Sequence, residues 1–323
     1  MRSRRRFMAA TGALAAAAAL PSRAQDKWPA KPIKILVGFP PGGGADAMAR
    51  LVAAKLPERL GQSVIVDNRT GATGTICSEL VAKAPPDGYT LQLAHINSNA
   101  IGPQLVAKGR FDPVADFTPI ALIGITPQML CHHPKHPFKD VKDLIAYAKA
   151  NPGRLTFASS GVGSIQHIAG EAFKLAAGVD MLHVPFKGTG DALAALLSGD
   201  VDLTFSSSGS AIPQVKGGKL SLLAVCSPAR LPDSPNVPTV AETLPGYEMA
   251  TWYGLAGPKG LPPAIVQRLY TEVQAALRMP DVVKRFDELD AVVSSSGPEQ
   301  FGQFWRKEVN RYQKLITEAR IQA

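Results

Sequence analysis

The sequence predicts an α/β protein: a mainly parallel sheet with helices on both faces. Three observations carry this prediction. Short β-rich runs alternate with amphipathic stretches in a repeating strand–helix grammar. Glycine- or serine-rich turns stand at the strand-to-helix junctions. The composition, 46% hydrophobic and 19% charged, is that of a globular chain. At 323 residues, about two domains are expected on a prior of ~150 residues each. The same figures exclude a coiled coil, a collagen and a multi-span membrane protein.

Residues 1–24 read as an export signal. Arg2, Arg4, Arg5 and Arg6 precede an apolar run from Met8 to Leu20. That run is shorter than the ~20 residues a bilayer span needs. Ser22-Arg23-Ala24 fits the small-x-small cleavage pattern, so cleavage is expected after Ala24, leaving Gln25 first. Ser3-Arg4-Arg5-Arg6-Phe7-Met8 also fits the twin-arginine export motif, and both this and the general secretory route stay open.

The elements follow in order. Ile33 to Val37 is a strand leading into Gly38-Phe39-Pro40-Pro41-Gly42-Gly43-Gly44. A helix is expected from Asp46 to about Leu60, with Met48, Leu51, Val52 and Leu56 on one face. Ser63 to Val66 is a strand, Thr75 to Ala84 a helix, and Tyr89 to Leu93 a strand. The grammar then restarts. Ile120 to Leu130 is a long β-branched run, and Phe138-Lys139-Asp140 introduces a helix to about Ala150. Strand Leu155–Ala158 precedes a serine-glycine loop and a helix from Ile165 to Ala177. Strand His183–Phe186, helix Asp191–Leu197, and strands Val201–Phe205 and Leu220–Val225 complete the second half. The tail is helical from Pro262, broken at Pro280, and restarted by a capping-box signal at Ser296-Gly297-Pro298-Glu299. The stripe Phe301, Phe304, Trp305, Val309, Tyr312 and Ile316 reads as core packing.

Charge narrows the function classes. The net charge is +9, but the five arginines of residues 1–24 account for most of it, and the remainder carries +4. No basic run with interleaved aromatics remains, so nucleic acid is not an expected partner. Cys77, Cys131 and Cys226 are too few and too widely spaced for a disulfide framework or a zinc motif. They read as three buried apolar residues, or as one disulfide plus a free thiol.

Three loops are suited to anions. A strand-to-helix loop points backbone N–H groups at a ligand, and the helix dipole adds positive charge. The first is Pro41-Gly42-Gly43-Gly44; the second is Ser160-Gly161-Val162-Gly163-Ser164; the third is Lys187-Gly188-Thr189-Gly190. Such loops in two facing halves would clamp an anion beyond the carboxyl ends of the strands. They are also compatible with ordinary tight turns. Gly42-x-Gly44-x-x-Ala47 with Asp67 approximates a dinucleotide fingerprint, which leaves an exported dinucleotide- or flavin-dependent enzyme as an alternative. There is no P-loop and no G-x-S-x-G elbow. His132-His133-Pro134-Lys135-His136 reads as a surface loop rather than a metal site, and His167 as either a cleft residue or a packed one. No catalytic residue, metal or cofactor is expected.

The ordered motifs carry a resemblance. They are Phe39 to Asp46 with Ala49-Arg50; Val66-Asp67-Asn68-Arg69-Thr70-Gly71 with Gly74; and Pro86-Asp87-Gly88-Tyr89-Thr90-Leu91. Phe111-Asp112-Pro113, Asp116-Phe117-x-Pro119-Ile120, Ser160 to Ser164 with His167, and Val184-Pro185-Phe186-Lys187-Gly188 follow. Gly199-x-Val201-Asp202, Gly218-Lys219-Leu220, Val237 to Glu242 and Trp252-Tyr253-Gly254 close the series. Together they resemble the substrate-binding proteins of tripartite tricarboxylate transporters, the Bug-type receptors. The resemblance spans nearly the whole chain after the signal.

It implies a type II periplasmic-binding-protein fold: two α/β domains joined by crossover strands, with a cleft between them. Domain 1 would be 25–125 plus 252–323, and domain 2 would be 126–251. It implies a periplasmic, monomeric receptor that passes a small organic carboxylate to tripartite membrane permease subunits. By position it nominates Phe39, Pro41, Gly42, Gly43, Gly44, Ala45 and Asp46 of the first loop. Ser160, Gly161, Val162, Gly163, Ser164 and His167 follow, with Lys187, Gly188 and Thr189 flanking and Asn97, Ser98 and Asn99 opposite. Members commonly carry Phe-Asp where this chain has Phe205-Ser206. If Ser206 faces the ligand, a ligand without an ammonium group is expected.

Overall fold

A computed structural model describes residues 28–231, 234–288 and 291–322. The export signal and its cleavage site lie outside the described residues.

Strand β1 (Ile33–Val37) is followed by α1 (Gly44–Ala53) and α2 (Leu56–Leu60). The single helix expected over 46–60 is therefore two. Pro57 sits in the first turn of α2, where its missing N–H costs nothing, and it ends the α1 ladder. Then come β2 (Val64–Asn68), α3 (Thr75–Ala82), β3 (Thr90–His95), a π-helical turn at Asn97–Ile101 and α4 (Gly102–Leu105). Strand β4 (Phe117–His132) runs 16 residues. It leads to α5 (Val141–Ala150), β5 (Thr156–Ser159), α6 (Ile165–Ala177), β6 (Leu182–Pro185) and α7 (Thr189–Ser198). Strand β7 (Leu203–Ser207), α8 (Ser208–Lys216), β8 (Ser221–Val225) and β9 (Ala250–Pro258) follow. The tail holds α9 (Pro263–Leu277), α10 (Pro280–Glu288), β10 (Val292–Val293) and α11 (Pro298–Glu318).

The strand order is β2-β1-β3-β9-β4-β7-β5-β6, with β8 and β10 also pairing β4. Each end is parallel, as expected: β1 with β2 and β3, and β5 with β6 and β7. The middle, where the joining strands pass, is antiparallel. Strand β4 pairs β9 as far as Pro127↔Ala250, then pairs β7 from Gln128 onward, so one long strand serves both ends.

Strand β9 had not been anticipated. Gly254 and Gly257 weaken its β signal, yet the fold needs them. A Cβ at Gly254 would lie 2.2 Å from the Phe301 ring, and one at Gly257 2.4 Å from Leu261 Cδ1. Helix α8 was hidden by its serines, Gly209 and the internal Pro213. The expected capping box at Ser296 is also corrected: Gly297 is the N-cap of α11, with no side-chain cap bond.

One apolar core joins Leu122, Trp252, Phe301, Trp305 and Tyr312 near the first end to Phe157, Phe173, Phe205 and Tyr247 near the second. The aromatic stripe of α11 is thus core, as its spacing predicts. A second core lies under α1, α9 and α10, and a third under α7 and α8. Helices therefore cover both faces of each half.

Candidate functional site

The three loops all sit between a strand end and a helix N-terminus. Gly43 is the N-cap of α1, Ser164 of α6 and Gly188 of α7. The first and third come together: a Cβ at Gly188 would meet Pro40 Cγ at 3.9 Å. No side chain caps α1 or α7, and their first internal bonds run from Ala47 to Gly43 and from Ala192 to Gly188. The preceding first-turn amides of both helices lack helical partners and carry the positive end of the dipole.

Asp46 shapes the first loop from within. Its carboxylate is 3% exposed and accepts from Gly42 N–H at 2.9 Å, Asn68 Nδ2 at 2.9 Å, and Arg50 Nε at 2.9 and 3.0 Å. Asn68 Nδ2 also donates to the Phe39 carbonyl at 2.9 Å. Burial acts to raise the Asp46 pKa, but the bonds from Arg50, Gly42 and Asn68 outweigh it and hold it low. Asp67, the candidate ribose partner of the dinucleotide reading, pairs with Arg69 at 2.9 Å.

The second loop is internally bonded. Ser160 donates from N–H and hydroxyl to Gln166 Oε1; Gly161 N–H donates to Ser159 Oγ at 3.1 Å, and Gly163 N–H to His167 Nδ1 at 3.3 Å. Gly161 and Gly163 take φ of +121° and +77°, which a side chain would strain. Ser164 Oγ accepts from His167 N–H at 3.3 Å. Gln166 Nε2 reaches Thr189 Oγ1 at 3.3 Å, tying this loop to the third. Lys187 is exposed at the loop's edge.

His167 packs. Its ring stacks on His183 with centroids 4.0 Å apart, and His183 Nε2 lies 2.6 Å from Ser159 Oγ. Burial, with charge from His183 and Lys174, pulls His167 down to about 3, and burial with Lys174 pulls His183 down to about 4. Both are neutral at ordinary pH.

Asn97, Ser98 and Asn99 are buried in the turn after β3. Asn99 Oδ1 accepts from His95 N–H at 3.1 Å and Ser98 Oγ at 2.7 Å. Asn97 Oδ1 accepts from Ile165 N–H, the first residue of α6, at 2.8 Å. Ser206 ends up elsewhere. It shares a face of β7 with Thr204, the face covered by α7 and α8, and its buried Oγ has no partner.

Sequence reading named Phe39 but missed His95 and Tyr253, the rings that join it beneath the first loop. Phe39 and His95 rings lie 4.5 Å apart, and His95 and Tyr253 rings 5.2 Å. Burial pushes His95 down to about 3 and Tyr253 up to about 12, so the floor is uncharged. It also missed Thr73, Ser159, Gln166 and His183, which carry no motif; only their neighbours did. The five-residue histidine cluster is not a surface loop throughout. His132 is buried in β4, and His136 bonds Asp202 at 2.6 Å. Among the described residues, no group of His, Cys, Asp and Glu could hold a metal. Cys77, Cys131 and Cys226 are free and buried. A hollow of about 830 Å³ between the 103–116 segment and α11 shares no residue with the three loops. No helix of the described residues is long and apolar enough to cross a membrane.

Comparison with known proteins follows this geometry. A family model described as "Tripartite tricarboxylate transporter family receptor" matches residues 48–321. Protein BugT of Bordetella pertussis is 35% identical over 295 residues, 91% of this chain and 90% of that protein. A solved Rhodopseudomonas palustris structure, Rpa4515 with adipate, superposes with TM-score 0.87 at 35% identity, covering 91% of this chain and 99% of the other. MatC of the same organism, with bound malate, superposes with TM-score 0.84 at 33% identity, covering 90% of this chain and all of the other, 100%.

Proposed function

The chain belongs to the tripartite tricarboxylate transporter receptor family, and from that premise we propose that it is an exported receptor for a small organic carboxylate. The observation that carries this reading is the pair of uncapped helix N-termini, α1 and α7, brought together at Pro40 and Gly188. Two such termini offer amide donors and two positive dipole ends to one anion. The nearby carboxylate, Asp46, is paired with the Arg50 cation and hydrogen-bonded by Asn68, which lessens its repulsion of the ligand. The aromatic floor of Phe39, His95 and Tyr253 is uncharged and suits an organic chain. Adipate and malate, bound by the two R. palustris relatives, define the chemistry to try first.

The two lobes in this reading are 25–125 with 252–323, and 126–251. The pairing of Ile125 with Trp252 and of Thr126 with Thr251 supports that division. Closure of the lobes retains the ligand without catalysis, and membrane permease subunits receive it. The receptor works as a periplasmic monomer, with its signal cleaved after Ala24. A charge-assisted hydrogen bond contributes roughly 1.5–3 kcal/mol, and a few suffice for micromolar binding at about −8 kcal/mol.

The test is a thermal-shift screen of organic acids, including adipate and malate, on protein lacking residues 1–24. Ligand at 100 Kd stabilises by about 2.7 kcal/mol. A saturable shift with one acid class, abolished by Gly43→Trp, is the expected result. A shift with NAD or a flavin and with no acid would replace this reading by the enzyme one.

A further inference from the structure

Buried Asn97 and half-buried Thr73 of the first lobe both bond the backbone of the second. Asn97 Oδ1 accepts the Ile165 N–H at 2.8 Å, and Thr73 Oγ1 donates to the Val162 carbonyl at 2.8 Å. Ile165 opens α6 and Val162 is the middle of the second loop, so both contacts fall within four residues of each other. Ser164 serves the third amide of α6, and Asn97 serves the first. The positive end of α6 is therefore completed by a residue from the other lobe.

Both side chains of these contacts, the acceptor Asn97 and the donor Thr73, are held in place. Asn97 N–H donates to His95 Nδ1 at 3.0 Å, and the adjoining turn is fixed by Trp305 Nε1 on the Asn99 carbonyl at 3.0 Å. Thr73 takes φ of +56° and Ala72 +46°, left-handed values that non-glycine residues adopt only when held there. The Thr73 segment rests on the first loop: a Cβ at Gly74 would lie 3.0 Å from Phe39 Cζ and 2.9 Å from Ser98 Cβ. Thus the Thr73–Gly74 segment lies against Phe39 of the first ligand loop at Gly74 and bonds the second loop through Thr73.

We propose that Thr73 and Asn97 form an interlobe latch that completes the N-terminus of α6 only when the lobes are together. Opening would strand the Ile165 N–H and the Val162 carbonyl at once. The latch makes closure partly independent of ligand. It also assigns the α6 terminus to closure, leaving the termini of α1 and α7 for the anion. This rests on the receptor reading only for what closure serves.

The test is hydrogen exchange resolved to single amides, on protein without ligand. In N97A the Ile165 amide should exchange at least 10-fold faster, while Ile168, bonded to the Ser164 carbonyl, keeps its protection. N97D, which retains an acceptor oxygen, should restore protection at Ile165. The decisive variant is T73V. It touches Val162, not Ile165, so faster exchange at Ile165 shows the two bonds opening as one unit. Unchanged exchange at Ile165 in N97A removes the cap, and unchanged exchange in T73V reduces the latch to two separate local bonds. Organic-acid binding is read separately: exchange responding as described with no acid bound sinks the receptor reading alone, and the reverse pattern sinks the latch alone.

Discussion

Asp46 shows how little a single residue in this chain is free to do. The family resemblance offers it, by position, as a ligand contact. In the fold its oxygens are already filled by Gly42, Arg50 and Asn68. Asp46→Ala therefore leaves the Gly42 N–H and the Asn68 amide without their acceptor. A loss of about 1–3 kcal/mol in urea unfolding is expected, with acid binding weakened as the first loop loosens. His167 and His183 make a pH prediction. In the unfolded chain both take up protons near the ordinary imidazole value of 6.5, whereas in the fold burial keeps them neutral down to about 3 and about 4. Below 6.5 the unfolded state binds more protons, so stability falls as pH drops towards 4, and each site adds at most about 1.4 kcal/mol per pH unit. Urea midpoints between pH 7 and 4 would reveal this, and His183→Asn should flatten the slope. Asp202 acts later. Burial opposes its ionisation, but bonds from His136, Thr156 and Lys135 hold it down at about 2. Its contribution is complete above 3.8 and fades as pH falls through about 2, below the histidine window.

Helix α6 is the element on which packing and site depend together. Gly170 faces β5 so closely that a Cβ would lie 2.1 Å from the Phe157 ring, which is fully buried and cannot retreat. Gly170→Ala should therefore cost about 1–3 kcal/mol and displace the N-terminus that holds the second loop. Urea unfolding gives the first effect; loss of Ile165 amide protection gives the second. The same helix shows what the sequence made legible. Its bounds, Ile165 to Ala177, follow from Ser164 as a cap and Gly178 as a left-handed stop, both local signals. The helix-terminus position of all three loops was readable for the same reason. Strand β9 and the Thr73, Gln166 and His95 contacts were not. Gly254 and Gly257 exist in β9 because Phe301 and Leu261 press on it, and those partners lie 47 and 4 residues away in the chain. Hydrogen bonds such as Thr73 to Val162 join residues 89 apart. No periodicity encodes a contact of that kind.

The two proposed lobes share the largest of three apolar cores. Strands β4 and β9 pass between the parallel ends, and Gln128 Nε2 bonds Thr251 Oγ1 at 2.7 Å where they do. The largest apolar cluster runs from Phe301 and Trp305 through Trp252 to Phe205, Phe173 and Tyr247. Two-lobed proteins often unfold in steps, because interfaces between domains are usually small and polar. Here the residues that pack α11 on one lobe are in the same buried cluster as those that pack α6 on the other. Cooperative unfolding is therefore expected: a single calorimetric transition with equal calorimetric and van't Hoff enthalpies. Trp305 sits at the junction, 5.6 Å from the Trp252 ring and bonded to the Asn99 carbonyl. Trp305→Ala should cost about 3–5 kcal/mol and lower that one transition without dividing it. Two resolved transitions in the unmodified protein would mean that the lobes hold separate cores, and a split appearing only in Trp305→Ala would place the coupling in that side chain alone.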